Sequence, residues 1–273
     1  MNTATIAILG AGNMGTSLLS GLIATGLSPA KLWVTDPDLQ KLHALQQQFN
    51  VQITQANEEA AKKADVIIFA VKPQIIANVA KSLSHIVQKQ KPLIISIAAG
   101  IPEKSLEQWL GNQAAIVRTM PNTPALISAG ATALHANNNV SSTQHNLAES
   151  ILRAVGITVW LPKEKDMDAV TALSGSGPAY FFLVIEALQK AGQKLGLPEE
   201  TARLLTLQTA LGAARMALES NLSVAELRER VTSKGGTTEA ALAVFEKGHI
   251  RDLFTEALHA AKTRSEELSR TML

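Results

Sequence analysis

The segment TIAILGAGNMG, residues 5–15, is the most informative part of the sequence for the architecture of the chain. Its apolar residues 5–9 have the length and composition of a buried strand, and glycines follow them at once. From residue 16 to residue 23, apolar side chains recur at helical spacing. We therefore predict a strand, a tight turn and a helix in direct succession.

The glycines of GAGNMG, residues 10–15, give this turn a chemical interpretation. Gly10 permits the tight turn, Gly12 lets the backbone approach a pyrophosphate, and Gly15 lets the helix pack closely on the strand. A lone GxGxxG is a weak signal, but here Asp36 follows about 20 residues later, at the end of a second predicted strand. The predicted contacts of the NAD or NADP cofactor in this motif are Gly10, Gly12, Asn13, Met14 and Gly15.

Asp36 has two interpretations. At the end of the second strand, its carboxylate would hold both ribose hydroxyls of NAD and repel the extra phosphate of NADP. In the sequence TDPD, residues 35–38, it could equally begin a turn or cap the next helix. The sequence leaves both open.

Apolar runs of strand length recur after this motif. They cover residues 32–35, 65–71, 93–98, 115–118, 132–135 and 158–161. Polar stretches with helical spacing precede the runs at 65–71 and 93–98, which are apolar enough for strands covered on both faces. This alternation predicts an α/β domain with a doubly wound, mostly parallel sheet and right-handed crossovers.

Two of these strands end in turns, FAVKP at residues 69–73 and SIAAG at residues 96–100. Ligands of open α/β sheets bind beyond the carboxyl ends of the strands, so both turns are expected to line the cofactor path. Lys72 could instead be a catalytic acid or a solvated turn residue, but its place before a proline favours a turn residue that contacts the cofactor. The predicted contacts are Ala70, Val71, Lys72, Pro73, Ala98 and Gly100. A third segment, RTMPNTPALISAGATAL at residues 118–134, places two prolines and an asparagine beside a strand end, which is typical of a rigid loop.

Beyond residue 162 the strand-like runs give way to long helical segments. We therefore predict a dinucleotide-binding domain of residues 1–162 and an all-α domain of residues 163–273. Pro198 with its two following glutamates marks a helix start, and Ser223 with Glu226 forms a capping box. The predicted helices cover residues 169–195, 238–245 and 250–270, with two more that begin near residues 198 and 223.

The run PAYFFLVIEAL, residues 178–188, carries a single charge and would be apolar on nearly every face of a helix. Such a helix needs burial on all sides, and an all-α domain of about 110 residues can hardly supply that alone. We therefore expect a subunit interface in which helices of two chains pack together. The alternative is the central helix of a monomeric bundle.

Composition excludes several classes of function. The formal net charge is +2 and aromatic residues make up 4%, so the sequence offers no basic stripe for nucleic acid. Cysteine is absent, which removes disulfides and thiolate chemistry. The six histidines show no i, i+4 pairing, and we expect no metal site. Residues 1–10 lack the features of a signal peptide and no apolar run approaches a membrane span, so we expect a cytoplasmic protein with no membrane partner.

The motifs together resemble one enzyme family. GAGNMG, FAVKP, RTMPNTPA, DAVTALSGSGPAY at residues 168–180 and VTSKGGTT at residues 231–238 occur in the order and spacing of pyrroline-5-carboxylate reductases. The likeness spans the whole chain. It implies reduction of the cyclic imine 1-pyrroline-5-carboxylate to L-proline with NADPH or NADH. It also implies an N-terminal Rossmann domain, a homodimer through interleaved C-terminal helices, and a decamer of five dimers as the larger assembly.

The resemblance also assigns roles to residues. It adds Asn57 to the cofactor contacts and places Thr171 near the ring nitrogen of the substrate, where the hydroxyl could orient the imine or assist proton delivery. A threonine that hydrogen-bonds its own helix is the simpler structural interpretation of Thr171. Ser176 lies in a patch of small residues, SGSG, where substrate and cofactor can approach.

The VTSKGGTT loop is where the resemblance places the substrate carboxylate, at a helix N-terminus with free amides. The implied substrate contacts are Ser233, Gly235, Gly236, Thr237 and Thr238. Without the resemblance, an ordinary helix junction capped by threonine would account for the loop. The family usually has proline where this chain has Lys234, which puts the rigidity of the loop in question.

Two rival functions remain at the level of sequence. A β-hydroxyacid dehydrogenase also joins a dinucleotide-binding domain to helices, but it uses a lysine shortly after its glycine-rich interdomain motif, and here residues 178–181 are PAYF. A regulatory protein that senses NAD(P) without turnover is the rival of another class. Only an assay for imine-dependent oxidation of NADH or NADPH separates it from a reductase.

Overall fold

The computed structural model describes residues 4–271, with side chains described through residue 270. By its internal packing the chain divides into two compact units. The first consists of Met1–Ser176 together with Ala261–Leu273, and the second of Gly177–Ala260.

The first unit is built on an eight-stranded sheet with the order β3-β2-β1-β4-β5-β6-β7-β8. The strands are β1 Ile6–Leu9, β2 Leu32–Thr35, β3 Gln52–Thr54, β4 Val66–Phe69, β5 Leu93–Ser96, β6 Ala115–Met120, β7 Gly130–Ala136 and β8 Gly156–Trp160. All neighbours pair in parallel except β6 and β7, which are antiparallel. The predicted doubly wound, mostly parallel sheet is confirmed.

Helices cover both faces of this sheet. They are α1 Asn13–Ala24, α2 Leu39–Phe49, α3 Asn57–Ala61, α4 Pro73–Gln90, α5 Glu103–Leu110, α6 Ser142–Leu152 and the short α7 Met167–Val170. Along β1, Ile6 and Ile8 belong to the core that contains α1, whereas Ala7 and Leu9 belong to the core that contains α4. Successive side chains of a strand point to opposite faces, so a continuous apolar run is what two covered faces require.

The reversal between β6 and β7 follows from the short connection between them. A parallel pair needs a crossover of about a dozen or more residues, usually through an α-helix. Only a short 3₁₀ turn, Thr123–Ile127, lies between these two strands. The chain therefore runs straight back beside β6, with Met120 opposite Ala133.

Three local features differ from the expected pattern. The edge strand β3 is three residues long and partly exposed, so the sequence contains no apolar run that would predict it. The pattern of residues 142–155 predicts one continuous helix, but α6 ends at Leu152 and the chain continues as a 3₁₀ turn, Arg153–Val155. The helical region expected over residues 169–195 contains a π-helical turn, Thr171–Gly175.

Among the described residues of the second unit, helices are the only regular secondary structure. Its helices are α8 Gly177–Lys194, α9 Glu199–Glu219, α10 Val224–Arg230 and α11 Thr237–Lys247, and α12 Ile250–Thr271 begins in it. The helix start predicted at Pro198 and its two following glutamates is confirmed, with Pro198 as the N-cap residue of α9. The capping box of Ser223 and Glu226 at the start of α10 is also confirmed.

Large apolar side chains of α8 are exposed in the single chain. Phe181 is 72% exposed and Phe182 is 65% exposed. By length and composition alone, the helical segment Glu164–Lys194 is apolar enough to cross a membrane, and 11% of its most apolar window is buried. The expectation that no apolar run approaches a membrane span overlooked this segment, because Thr, Ser and Gly residues interrupt it.

The contact between α1 and the chain before β8 generates a prediction about stability. A Cβ on Gly21 would lie 2.6 Å from the carbonyl oxygen of Ala154. Gly21→Ala should therefore lower the free energy of unfolding by about 1–3 kcal/mol, although alanine is the better helix former. The neighbouring Ser20→Ala, on the exposed side of the same helix, should stay within about 0.5 kcal/mol of wild type. Urea unfolding of both variants checks this, and equal midpoints would contradict it.

Candidate active site

The glycine loop between β1 and α1 is shaped by two close approaches. Gly10 has a φ of 111°, and a Cβ there would lie 2.6 Å from the Ala70 carbonyl oxygen. A Cβ on Gly15 would lie 2.3 Å from the Gly10 carbonyl oxygen. Both positions therefore exclude any larger residue, and the first brings the FAVKP turn against the glycine loop.

Gly12 differs from the other two glycines of the loop. A Cβ on Gly12 would meet nothing within 4 Å. Gly12 is the N-cap residue of α1 and provides no side-chain cap. The first amides of a helix have no intrahelical partners, and the helix dipole makes this end favourable for an anion. The open, uncapped start of α1 therefore fits the pyrophosphate of a dinucleotide, with Asn13 and Met14 as the first two helical residues.

The Asp36 carboxylate accepts two backbone hydrogen bonds. Its Oδ2 accepts from the Ala11 N–H at 2.9 Å, and its Oδ1 accepts from the Asp38 N–H at 2.9 Å. The cap of α2 is supplied by Asp38, which accepts from the amides of Gln40 and Lys41. Asp36 thus begins the turn after β2 and also ties that turn to the glycine loop, which places a half-exposed carboxylate beside the proposed pyrophosphate site.

Asn57 lies at the same edge of the sheet. It is the first residue of α3, and its Oδ1 accepts a hydrogen bond from the Thr35 hydroxyl at the end of β2. Lys72 is the exposed N-cap residue of α4, and Pro73 is the first helical residue. Ala98 and Gly100 follow β5, and Gly100 has a φ of 76°, which favours glycine. The predicted cofactor residues therefore follow the carboxyl ends of five neighbouring parallel strands, β3, β2, β1, β4 and β5.

Thr171 opens the π-helical turn that follows α7. Its hydroxyl donates to the Met167 carbonyl oxygen at 2.8 Å, the local bond that the simpler interpretation expected. The Ser176 N–H donates to the Thr171 carbonyl oxygen at 2.8 Å, five residues back, as in a π-helix. Such single π turns occur frequently at functional sites. Asp168, one turn before Thr171, accepts a hydrogen bond from the buried Ser265 hydroxyl of α12 at 2.7 Å.

The glycine pair of the VTSKGGTT loop lies in the second unit, at the start of α11. Gly236 is the N-cap residue and makes no side-chain cap, and Gly235 has a φ of 71°. A Cβ on Gly236 would lie 2.4 Å from the Ser233 hydroxyl, so the loop itself is tight there. The Gly235 N–H donates to the Glu239 carboxylate at 2.6 Å. Thr237 and Lys234 are exposed, and Thr238 is half-buried.

A buried charge cluster in the first unit was missed from the sequence. Arg118 donates to Glu164 at 2.7 Å, the Glu103 N–H donates to the same Glu164 oxygen at 2.8 Å, and His135 pairs with the Glu103 carboxylate at 2.6 Å. Burial raises the pKa of Glu103, and the hydrogen bond with His135 opposes this shift. A charged residue inside the apolar strand β6 was the available signal. The cluster fixes the segment before α7 against β6 and α5.

A glycine loop that leaves the start of α1 open, at the switch point of a doubly wound sheet, defines a dinucleotide-binding oxidoreductase fold. Residues 5–100 match the family model for coenzyme F420-dependent NADP oxidoreductases, and residues 164–268 match the family model for pyrroline-5-carboxylate reductase dimerisation. The chain belongs to the pyrroline-5-carboxylate reductase family and is an NAD(P)-dependent oxidoreductase.

Similar proteins span the whole chain. Pyrroline-5-carboxylate reductase of Pseudomonas aeruginosa is 51% identical over 98% of both chains. The structure of a pyrroline-5-carboxylate reductase from Coxiella burnetii superposes with a TM-score of 0.95 at 50% identity, covering 98% of this chain and 99% of that one. The Plasmodium falciparum pyrroline carboxylate reductase with NADP bound has a TM-score of 0.88 at 33% identity, covering 98% and 99%.

The Asp36 geometry generates a prediction about cofactor preference. If the carboxylate faces the ribose, Asp36→Ser should raise the ratio of kcat/KM for NADPH to kcat/KM for NADH by about tenfold or more, because like charges placed side by side cost several kcal/mol. The matched control is Asp38→Ser, which removes a charge from the same turn but keeps a good N-cap residue. Its ratio should match wild type in paired steady-state assays. An equal loss with both cofactors in Asp36→Ser would mean that Asp36 only holds the glycine loop.

Proposed function

We propose that this protein reduces 1-pyrroline-5-carboxylate to L-proline with NADPH or NADH, the last step of proline biosynthesis. The 51% identity to the Pseudomonas aeruginosa reductase carries the proposal, because the matched 269 residues span the glycine loop, the π turn and the second glycine loop together. The open start of α1 and the residues beyond β2, β4 and β5 support the cofactor part of it.

The residues that follow the carboxyl ends of the strands each bind a different part of the dinucleotide. The amides after Gly12 bind the pyrophosphate, and Asp36 and Asn57 hold the adenosine ribose. The two turns after β4 and β5 line the path to the nicotinamide. When bound, the reduced nicotinamide supplies a hydride for the carbon of the C=N bond. The contacts in those two turns are Ala70, Val71, Lys72, Pro73, Ala98 and Gly100.

Thr171 acts as the hydrogen-bond acceptor that orients the ring nitrogen of the substrate. Its hydroxyl hydrogen is directed at the Met167 carbonyl oxygen, so the lone pairs of Oγ1 are left for an incoming donor. A protonated imine is such a donor, and it is also the form that accepts a hydride readily. The geometry therefore favours orientation of the imine over proton delivery. Ser176, which closes the π turn, contacts the substrate from the same segment.

The substrate carboxylate binds at the start of α11. The amides after Gly236 have no side-chain cap and suit an anion, whereas the Gly235 N–H is already bonded to Glu239. Ser233, Thr237 and Thr238 add hydroxyl donors. Lys234, exposed on the same loop, adds a positive charge that attracts the carboxylate over the distance of a Debye length, about 8–10 Å.

The functional domains are residues 1–162, which bind the cofactor, and residues 163–273, which bind the substrate and dimerise. The boundary lies two residues before the start of the dimerisation family match at residue 164. The exposed apolar face of α8 supports a homodimer through the C-terminal helices, and a decamer of five dimers is the larger assembly we propose. The enzyme is soluble and cytoplasmic, with no nucleic-acid or membrane partner and no metal.

The direct test is a steady-state assay of the purified full-length protein with 1-pyrroline-5-carboxylate and either NADPH or NADH. We expect the absorbance of the reduced nicotinamide to fall only when the imine is present, and L-proline to form in equal amount. Cofactor binding without any imine-dependent oxidation would support a nucleotide-sensing protein and reject the proposal.

The carboxylate site can be tested by a side chain at Gly236. Gly236→Val should raise the KM for 1-pyrroline-5-carboxylate by about tenfold or more and leave the KM for NADPH near wild type, because its side chain would displace the Ser233 hydroxyl and crowd the start of α11, away from the cofactor residues. Gly248→Ala, at the other end of α11, is the matched control, because its Cβ would meet only ordinary contacts at 3.4 Å. Wild-type imine kinetics in Gly236→Val would reject the assignment.

A further inference from the structure

The side-chain amide of Asn122, in the MPNTPA segment, joins two elements of the first unit. Its Oδ1 accepts a hydrogen bond from the Ala131 N–H in β7 at 2.9 Å. Its Nδ2 donates to the Ser174 carbonyl oxygen at 3.0 Å. One half-buried side chain therefore ties the β6–β7 hairpin to the π turn that carries Thr171.

The Ser174 carbonyl is available for this bond because of the sequence that follows it. The residue four positions later is Pro178, which has no N–H to donate. A proline within a helix removes the i→i−4 bond, and its ring crowds the carbonyl four residues earlier. The Asn122 amide supplies a donor that an uninterrupted helix would have provided from its own backbone.

A second contact holds the same turn from the end of β6. A Cβ on Gly175 would lie 2.5 Å from the Cε of Met120, so this thioether packs directly on the backbone of Gly175. Met120 and Asn122 are two residues apart, and they contact two consecutive residues of the π turn. Packing from Met120 and the directional bond from Asn122 together fix where the turn lies and how it is rotated.

We infer that Asn122 is a positioning residue for the reduction. It holds the π turn Thr171–Gly175 and thereby sets the position of the Thr171 oxygen, which in the proposed function orients the imine nitrogen. This inference rests on that proposed role of Thr171. Misplacement of a reacting group by about 1 Å can cost about a hundredfold in rate, so a bond that fixes this turn has a kinetic effect separate from its effect on stability.

Asn137 provides a matched control within the same hairpin. Its Nδ2 donates to Glu107 at 2.8 Å and to the Ala114 carbonyl oxygen at 3.0 Å, and its Oδ1 accepts from the Ile116 N–H at 3.1 Å. It follows the end of β7, whereas Asn122 follows the end of β6, so the two lie at opposite ends of one antiparallel pair. Asn137 makes at least as many bonds as Asn122, and none of these bonds involves the π turn.

The experiment compares Asn122→Asp and Asn137→Asp in the full-length protein, each alone and combined with Thr171→Val. Aspartate at 122 keeps an acceptor for the Ala131 N–H but cannot donate to the Ser174 carbonyl. We expect Asn122→Asp to lower kcat by about tenfold or more with an unchanged KM for NADPH. In the Thr171→Val background, Asn122→Asp should lower kcat by less than about threefold, because both variants impair the same contact, that of Thr171 with the imine. Asn137→Asp should lower the urea midpoint but keep kcat within about twofold of wild type.

Each outcome has a defined meaning. Full kcat in Asn122→Asp, or the same fold loss with and without Thr171→Val, overturns the inference while the proposed function stands. A wild-type protein inactive toward the imine overturns the proposed function and the inference with it. A Thr171→Val variant with wild-type kinetics overturns the proposed role of Thr171 and the inference, while the reduction of the imine stands. Should Asn122→Asp be poorly folded by circular dichroism, Asn122→Ser, which is neutral and too short to reach Ser174, must show the same non-additive loss.

Discussion

The structure depends first on the close approach of the backbone at Gly10 to the backbone at Ala70. No side chain fits between them, so β1 can turn sharply into α1 with the start of that helix above the carboxyl ends of β1 and β4. The Ala11 N–H then reaches the Asp36 carboxylate, which joins the third neighbouring strand, β2, to the same loop. A single steric constraint therefore aligns one helix dipole, three strand ends and a carboxylate at one edge of the sheet, and this alignment makes the edge suitable for a dinucleotide.

The second organising feature is the reversal of the chain between β6 and β7. Without a crossover helix, the loop after β6 stays at the same edge of the sheet as the cofactor turns, since β6 is parallel to β5. The side chain of Met120, the last residue of β6, and that of Asn122, in the loop, then contact the π turn. On the neighbouring elements, the pair of Arg118 and Glu164 fixes the segment just before α7. The segment before the π turn is thus held by a partly buried ion pair, and the turn itself by packing and one amide.

The sequence alone was sufficient for much of the fold, because its signals were local. Continuous apolar runs, the glycine spacing and the capping box of Ser223 each depend on residues close together in the chain. Contacts between distant residues leave no such pattern. The bond from Ala11 to Asp36 and the bond from Asn122 to Ser174 join residues that only the sheet topology brings together. The strand β3 was missed because three residues that pair with the exposed edge of β2 need no apolar run.

The second unit shows a different limit of prediction from sequence, because almost none of its residues are buried within the single chain. Of residues 177–260, all of which the structure describes, only Gly177 and Ala202 are buried. The burial of apolar surface is the main favourable term in folding, and helices that leave Phe181 and Phe182 exposed cannot supply it within one chain. In a family whose matching region is a dimerisation domain, the missing contacts come from assembly. Folding and association of this unit are then linked by mass action, so its stability depends on protein concentration. The loop VTSKGGTT belongs to this unit, and the order of the proposed carboxylate site therefore depends on the same association.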